Sequence, residues 1–151
     1  MELKEVQKRF LAFAETECRG NSALYYELSS RIAKDEALSA MALSTRAGQP
    51  VANLFLASVH YLVLQNPESD LGRYYPSVTR SLTAEIPFHV FKQFCLAHDK
   101  EIRKLLLTRI VQSNVISRCS YLMPVFSRLI ARENRPATNI DIGTSAGLTL
   151  N

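Results

Sequence analysis

Leu3, Val6, Phe10 and Phe13 recur every three or four residues with charged side chains between them, and Arg19-Gly20-Asn21 follows as a stop. Residues 2–18 are therefore expected to form an amphipathic helix. Ser22 is placed to cap a second helix with Leu24, Leu28 and Ile32 as its stripe. Asp35-Glu36 puts a cap and an acidic residue at the positive end of a third, short helix carrying Leu38, Met41 and Ala42. Gly48-Gln49-Pro50 ends that segment, and Val51 to Leu64 is apolar on nearly every face, as a central buried helix must be. From Asn66 to Glu85 the periodicity lapses, and Pro67, Gly72 and the Tyr74-Tyr75-Pro76 cluster predict a loop with at most short helical turns. Pro87 opens a run in which Phe88, Phe91, Phe94/Cys95, His98, Ile102 and Leu105/Leu106 keep the helical period, with Asp99 marking a division into two helices. Ser113-Asn114 are suited to cap a last long helix with Val115, Cys119, Leu122, Phe126 and Leu129 on its core face and Pro124 inside it. The pattern thus predicts an all-α bundle of six or seven helices over residues 1–135.

The pattern changes at Glu133 to Ala137, a polar stretch containing Pro136. Thr138-Asn139-Ile140-Asp141-Ile142 then reads as a short strand running into Gly143-Thr-Ser-Ala-Gly147. Residues 136–151 are expected to be a linker, a strand and a glycine loop, the start of an α/β Rossmann domain that the sequence does not continue. Asp141 at the strand end with Gly143 and Gly147 four apart is D-x-G-x-x-x-G, nearer to the first motif of S-adenosylmethionine enzymes than to GxGxxG, although Ser145 stands where a further glycine is usual. The same residues spell G-x-S-x-G, the nucleophile elbow of α/β-hydrolases. That chemistry needs an acid and a histidine after the serine, whereas His60, His89 and His98 all precede it. A turn with a purely structural role is the third reading.

Composition narrows the classes. The 151 residues are 47% hydrophobic and 21% charged, the balance of one ordinary globular domain. No apolar run approaches the roughly 20 residues of a membrane span, and the N-terminus MELKEVQKRF mixes charge signs without an apolar core, so a cytoplasmic protein is expected. Cys18, Cys95 and Cys119 are widely spaced, with no CxxC and no His/Cys cluster of zinc type; reduced thiols and no metal are expected. The net charge of +4 belongs to residues 101–151, which hold seven Lys/Arg against three Asp/Glu. Arg118, Arg128, Arg132 and Arg135 share one helical face, yet no aromatic is interleaved to stack a base, so nucleic acid is a weakly supported partner. Asp35, Glu36, Glu15 and Glu17 read as surface charges, and His60, alone on the most apolar helix, reads as a hydrogen-bonded core residue.

Three blocks, Gly48 to Leu64, Thr108 to Cys119 and Ile140 to Leu150, resemble in order and spacing the bacterial domain-of-unknown-function family 2332. The resemblance implies a helical N-terminal half followed by a methyltransferase-like Rossmann half, a total of about twice this length, and no established activity. It places Asn53, His60, Arg109, Gln112, Asn114 and Arg118 at polar signature positions, with Asp141, Gly143 and Gly147 in the glycine loop. Arg109, Gln112, Asn114 and Arg118 are also the densest polar constellation in the sequence, suited either to tying helix ends together or to lining a cleft in which arginine binds a carboxylate or phosphate. The expectation is a helical lid or substrate-selecting half of a methyltransferase-like protein, with no catalytic residue of its own and with S-adenosylmethionine bound only where a Rossmann domain follows. The alternative is a non-enzymatic helical interaction or dimerisation module. An unpaired Ile140-Asp-Ile142 strand invites a second copy, so a homo-oligomer or the missing domain is the expected partner.

Overall fold

The computed structural model of the protein describes residues 1–79, 87–111, 119–133 and 138, and every regular element among them is a helix. The all-α class expected from the pattern is what the structure has, with seven α-helices among the described residues: α1 Leu3–Phe13, α2 Ala23–Ile32, α3 Glu36–Ala42, α4 Val51–Gln65, α5 Phe88–Ala97, α6 Asp99–Thr108 and α7 Cys119–Glu133. None is long and apolar enough to cross a membrane. The chain divides into two units, Met1–Val111 and Gln112–Asn151. In the second unit α7 carries Pro124 within it. Ser113-Asn114, Arg118, Arg135 and the segment from Asn139 onward lie outside the described residues.

Within the first unit the local signals act as their chemistry requires. Ser22 Oγ accepts from the Tyr25 N–H at 3.4 Å, and Asp35 Oδ1 accepts from the Leu38 N–H at 3.1 Å, each satisfying a donor that the first turn of a helix leaves unpaired. Gly48 sits at φ +82°, a backbone conformation that side chains with a Cβ rarely adopt, and turns the chain into Pro50 and α4. The first helix differs from its expectation. Its α-helical part stops at Phe13, and Ala14–Cys18 form a wider π-turn closed by the Arg19 N–H on the Ala14 carbonyl at 2.9 Å. The buried stripe is Val6, Phe10, Ala14 and Cys18, spaced by four, rather than Leu3 to Phe13. A four-residue step overshoots one helical turn by about 40°, so three such steps would swing Cys18 out of the core. The wider turn draws it back, and Cys18 is buried.

Helix α4 is the axis of the unit. Val51, Ala52, Leu54, Phe55, Leu56, Val59, Leu62 and Val63 are all buried, so it is covered on most sides, by α1 and α3 and by α6. Phe55 meets Phe10 edge to face, with ring centroids 5.7 Å apart and planes at 88°. Such fully buried aromatic and aliphatic side chains each contribute about 1.5–3 kcal/mol and dominate the stability of the unit. The run opened by Pro87 is two helices, as expected, with His98 at the break between α5 and α6. α6 is pinned to the α3–α4 connection: Arg103 donates to Ser44 Oγ at 2.9 Å, the Arg46 N–H to the Leu106 carbonyl at 3.1 Å, and the Val111 N–H to Gln49 Oε1 at 2.8 Å.

Between α4 and α5 the described residues 66–79 form a loop with one short 3-10 turn, Gly72–Tyr74. Gly72 is required there by space: a Cβ on it would lie 2.3 Å from the Pro67 carbonyl oxygen. The tight passage sends Tyr75 inward, where it is 1% exposed and packs in the core with α5 residues Phe91 and Cys95.

Candidate functional site

Two places in the first unit gather chemically capable side chains. The first is centred on His60 of α4. Its Nε2 is 2.6 Å from Ser77 Oγ in the loop and its Nδ1 3.3 Å from the Tyr25 hydroxyl of α2, while its ring lies 4.9 Å from that of Tyr75. The histidine is half-buried, and burial lowers its pKa below the ordinary histidine value. The neighbours are pushed toward their uncharged forms as well. Burial, then the nearby Cys18, raises Tyr25; burial, then Tyr25 and Cys95, holds Tyr75 well above an ordinary phenol; burial, then Asp35, raises the Cys95 thiol. At neutral pH the hydrogen-bonded chain is Tyr25, a neutral His60 imidazole and Ser77, in which His60 donates to one oxygen and accepts from the other.

The Ser77–His60 contact has the length of a nucleophile–base hydrogen bond, but the group behind the imidazole is a neutral phenol. Among the described residues no carboxylate stabilises an imidazolium there as one does in a hydrolytic triad. Cys18 and Cys95 are buried with raised pKa values, which removes them as thiolate nucleophiles. The cluster ties the loop to α2 and α4.

The second place is a cleft of about 460 Å³ between α4 and α6, lined by Tyr61, Leu62, Glu101, Lys104, Leu105 and Arg109, with Thr108 completing the wall. Leu62 is buried and Leu105 half-buried, giving it an apolar floor. Arg109 stands just past the end of α6, its N–H donating to the Leu105 carbonyl at 2.8 Å. A second cleft, of about 490 Å³, lies between the end of α2 and the start of α5. Its charges are already paired with one another: Arg31 with Glu27, its guanidinium 5.8 Å above the Phe88 ring, and Lys92 with Asp35.

Of the residues singled out in the sequence, His60 and Arg109 therefore sit at separate places, and Asn53 is at a third, where its Nδ2 donates a long 3.5 Å hydrogen bond to Glu17 Oε2. Gln112, Asn114, Arg118, Asp141, Gly143 and Gly147 lie outside the described residues. Tyr25, Tyr75 and Ser77 around His60, and Tyr61, Lys104 and Glu101 beside Arg109, carried no local signal. Among the described residues no group of three His, Cys, Asp or Glu is placed to hold a metal ion.

The first unit is all-helical, and its two best-formed polar sites contain no complete catalytic constellation among the described residues. Residues 7–151 match DUF2332, described as uncharacterized protein conserved in bacteria, and the chain belongs to that family. No protein of curated function and no solved structure matches it.

Proposed function

We propose that residues 1–135 are the helical lid or substrate-selecting half of a methyltransferase-like protein, with Asp141, Gly143 and Gly147 as the loop that holds S-adenosylmethionine once a Rossmann domain follows. The observation that supports this most is the change of sequence pattern at residue 136, from helical periodicity to strand, Asp141 and the Gly143/Gly147 loop. Backbone N–H groups at a glycine-rich strand-to-helix turn suit the polar end of such a cofactor. The helical half contributes shape and selection: a pinned α6, a cleft beside it and no thiolate or metal centre of its own among the described residues. Cytoplasmic residence and a domain partner are part of this reading.

Calorimetric titration of S-adenosylmethionine and S-adenosylhomocysteine into the protein at its natural length tests it. Saturable binding is expected, weakened about tenfold or more by Asp141→Ala, since that change deletes a charged hydrogen-bond acceptor. Absence of binding by a molecule that contains the following domain overturns it and leaves a non-enzymatic helical interaction module, whose self-association sedimentation would measure.

A further inference from the structure

The cleft between α4 and α6 differs from the one between α2 and α5 in the state of its charges. Lys104 and Arg109 make no ion pair among the described residues, and neither does Glu101. Two cations against one carboxylate leave the wall net positive. The Tyr61 hydroxyl accepts from Gln65 Nε2 at 2.9 Å, so its own proton remains to be given, whereas Thr108 has spent its proton on the Lys104 carbonyl. Three donors thus border an apolar floor of Leu62 and Leu105 in a space of about 460 Å³, within the size range of small-molecule sites.

The α6 wall is held in place by the Arg103–Ser44, Arg46–Leu106 and Val111–Gln49 hydrogen bonds, so the cleft is preformed. We propose that it binds a small amphipathic anion, with a carboxylate or phosphate head on Lys104, Arg109 and the Tyr61 hydroxyl and an apolar body on Leu62 and Leu105. Arg109 offers a planar fork to such a head and Lys104 a mobile point charge. Taken as the substrate class of the helical half, the assignment rests on the reading proposed above; binding itself does not.

The test is a nuclear magnetic resonance titration of the 151-residue protein with hexanoate, hexyl phosphate and hexanol as probes. Saturable shift changes confined to the surroundings of Tyr61, Leu105 and Arg109 are expected with at least one of the two anions, and which anion binds assigns the head group. Lys104→Gln and Arg109→Gln should each weaken that binding about tenfold, the loss of one charge-assisted hydrogen bond, with thermal midpoints unchanged because both side chains are exposed. Equal binding of hexanol, unsaturable shifts spread over the whole chain, or affinity unmoved in both variants overturns the proposal. Anion binding, together with no S-adenosylmethionine binding by a molecule that contains the following domain, overturns the methyltransferase reading and keeps the cleft. Cofactor binding without anion binding does the reverse.

Discussion

Lys92 Nζ lies 2.6 Å from Asp35 Oδ2, an ion pair between α5 and the N-cap of α3 that closes 57 residues of chain. The Asp35 side chain is 12% exposed, and its other oxygen caps the Leu38 N–H. One carboxylate therefore starts a helix and anchors another. Asp35→Ala is expected to lower the unfolding free energy by about 1–3 kcal/mol, losing the cap and leaving a partly shielded ammonium without its partner. Asp35→Ser keeps a capping oxygen and should cost about 1 kcal/mol or less, the scale of a half-exposed pair. Urea denaturation of the two variants separates the roles.

The same carboxylate predicts an acid dependence. Burial pushes its pKa up, but the hydrogen bonds from Lys92 and from the Leu38 and Ala37 N–H groups, with the Lys92 charge, together outweigh burial and hold it below the ordinary value. A group whose folded pKa is depressed stabilises the fold above its unfolded pKa of about 4 and loses that contribution as pH falls through the folded value. The stability difference between wild type and Asp35→Asn should shrink as the pH is taken below about 4. A difference that is constant or grows on acidification counts against the assignment.

His60 acts in a neighbouring window. Burial lowers its folded pKa, so between that value and its unfolded pKa of about 6.5 the unfolded chain binds more protons. Stability is expected to fall as pH drops below about 6.5, and His60→Gln should flatten that part of the profile. Proton resonances of the imidazole give the direct check, a midpoint below that of a solvated histidine; a midpoint above it contradicts the environment described.

Tyr75 places a phenol in the core whose hydroxyl has no hydrogen-bond partner among the described residues. Removing an unpartnered buried hydroxyl removes a desolvation cost, so Tyr75→Phe should leave stability within about 1 kcal/mol of wild type, on the stabilising side. Tyr75→Ala removes the ring as well and should cost about 3–5 kcal/mol. A clearly destabilised Phe variant would reveal a partner for the hydroxyl.

Gly72→Ala drives a Cβ into backbone, the Pro67 carbonyl, which has no flexible end to yield. An overpacking cost of about 1–3 kcal/mol is expected. The strain falls on the loop that carries Tyr75 and Ser77, so amide exchange should quicken from Asn66 to Thr79 and around His60 before it quickens in α1.

The helices were legible because their signals are local. Ser22, Asp35, Gly48, Pro50 and Pro87 act within a few residues of where they stand, and a helical stripe can be read from one segment alone. Asp35 shows the limit: a carboxylate at a helix start looks solvated until Lys92 arrives from 57 residues away. The His60 surroundings fail for the same reason. Its partners are 35 residues before it and 17 after it, and Tyr75 looked like part of a loop because nothing in Tyr-Tyr-Pro says which ring turns inward. Arg109 was legible as a residue, but its cleft is made by Tyr61 and Leu62 on a helix that only packing brings to α6. Glycine and aspartate at 141–147 are the opposite case, a chemical pattern readable in sequence and outside the described residues.

The π-turn at Ala14–Cys18 has a consequence for how the chain tolerates change in length. An α-helical path with one residue fewer between Ala14 and Cys18 would bring the cysteine back to within about 60° of the line of Ala14, on the side toward Phe10, where a straight path of the present length would carry it away. Removing Thr16, whose hydroxyl only reaches the carbonyl one turn behind it, should thus convert the wide turn to an ordinary one and leave Val6, Phe10 and Cys18 in the core. A deletion in the middle of α4, buried on most sides, has no such slack to absorb it.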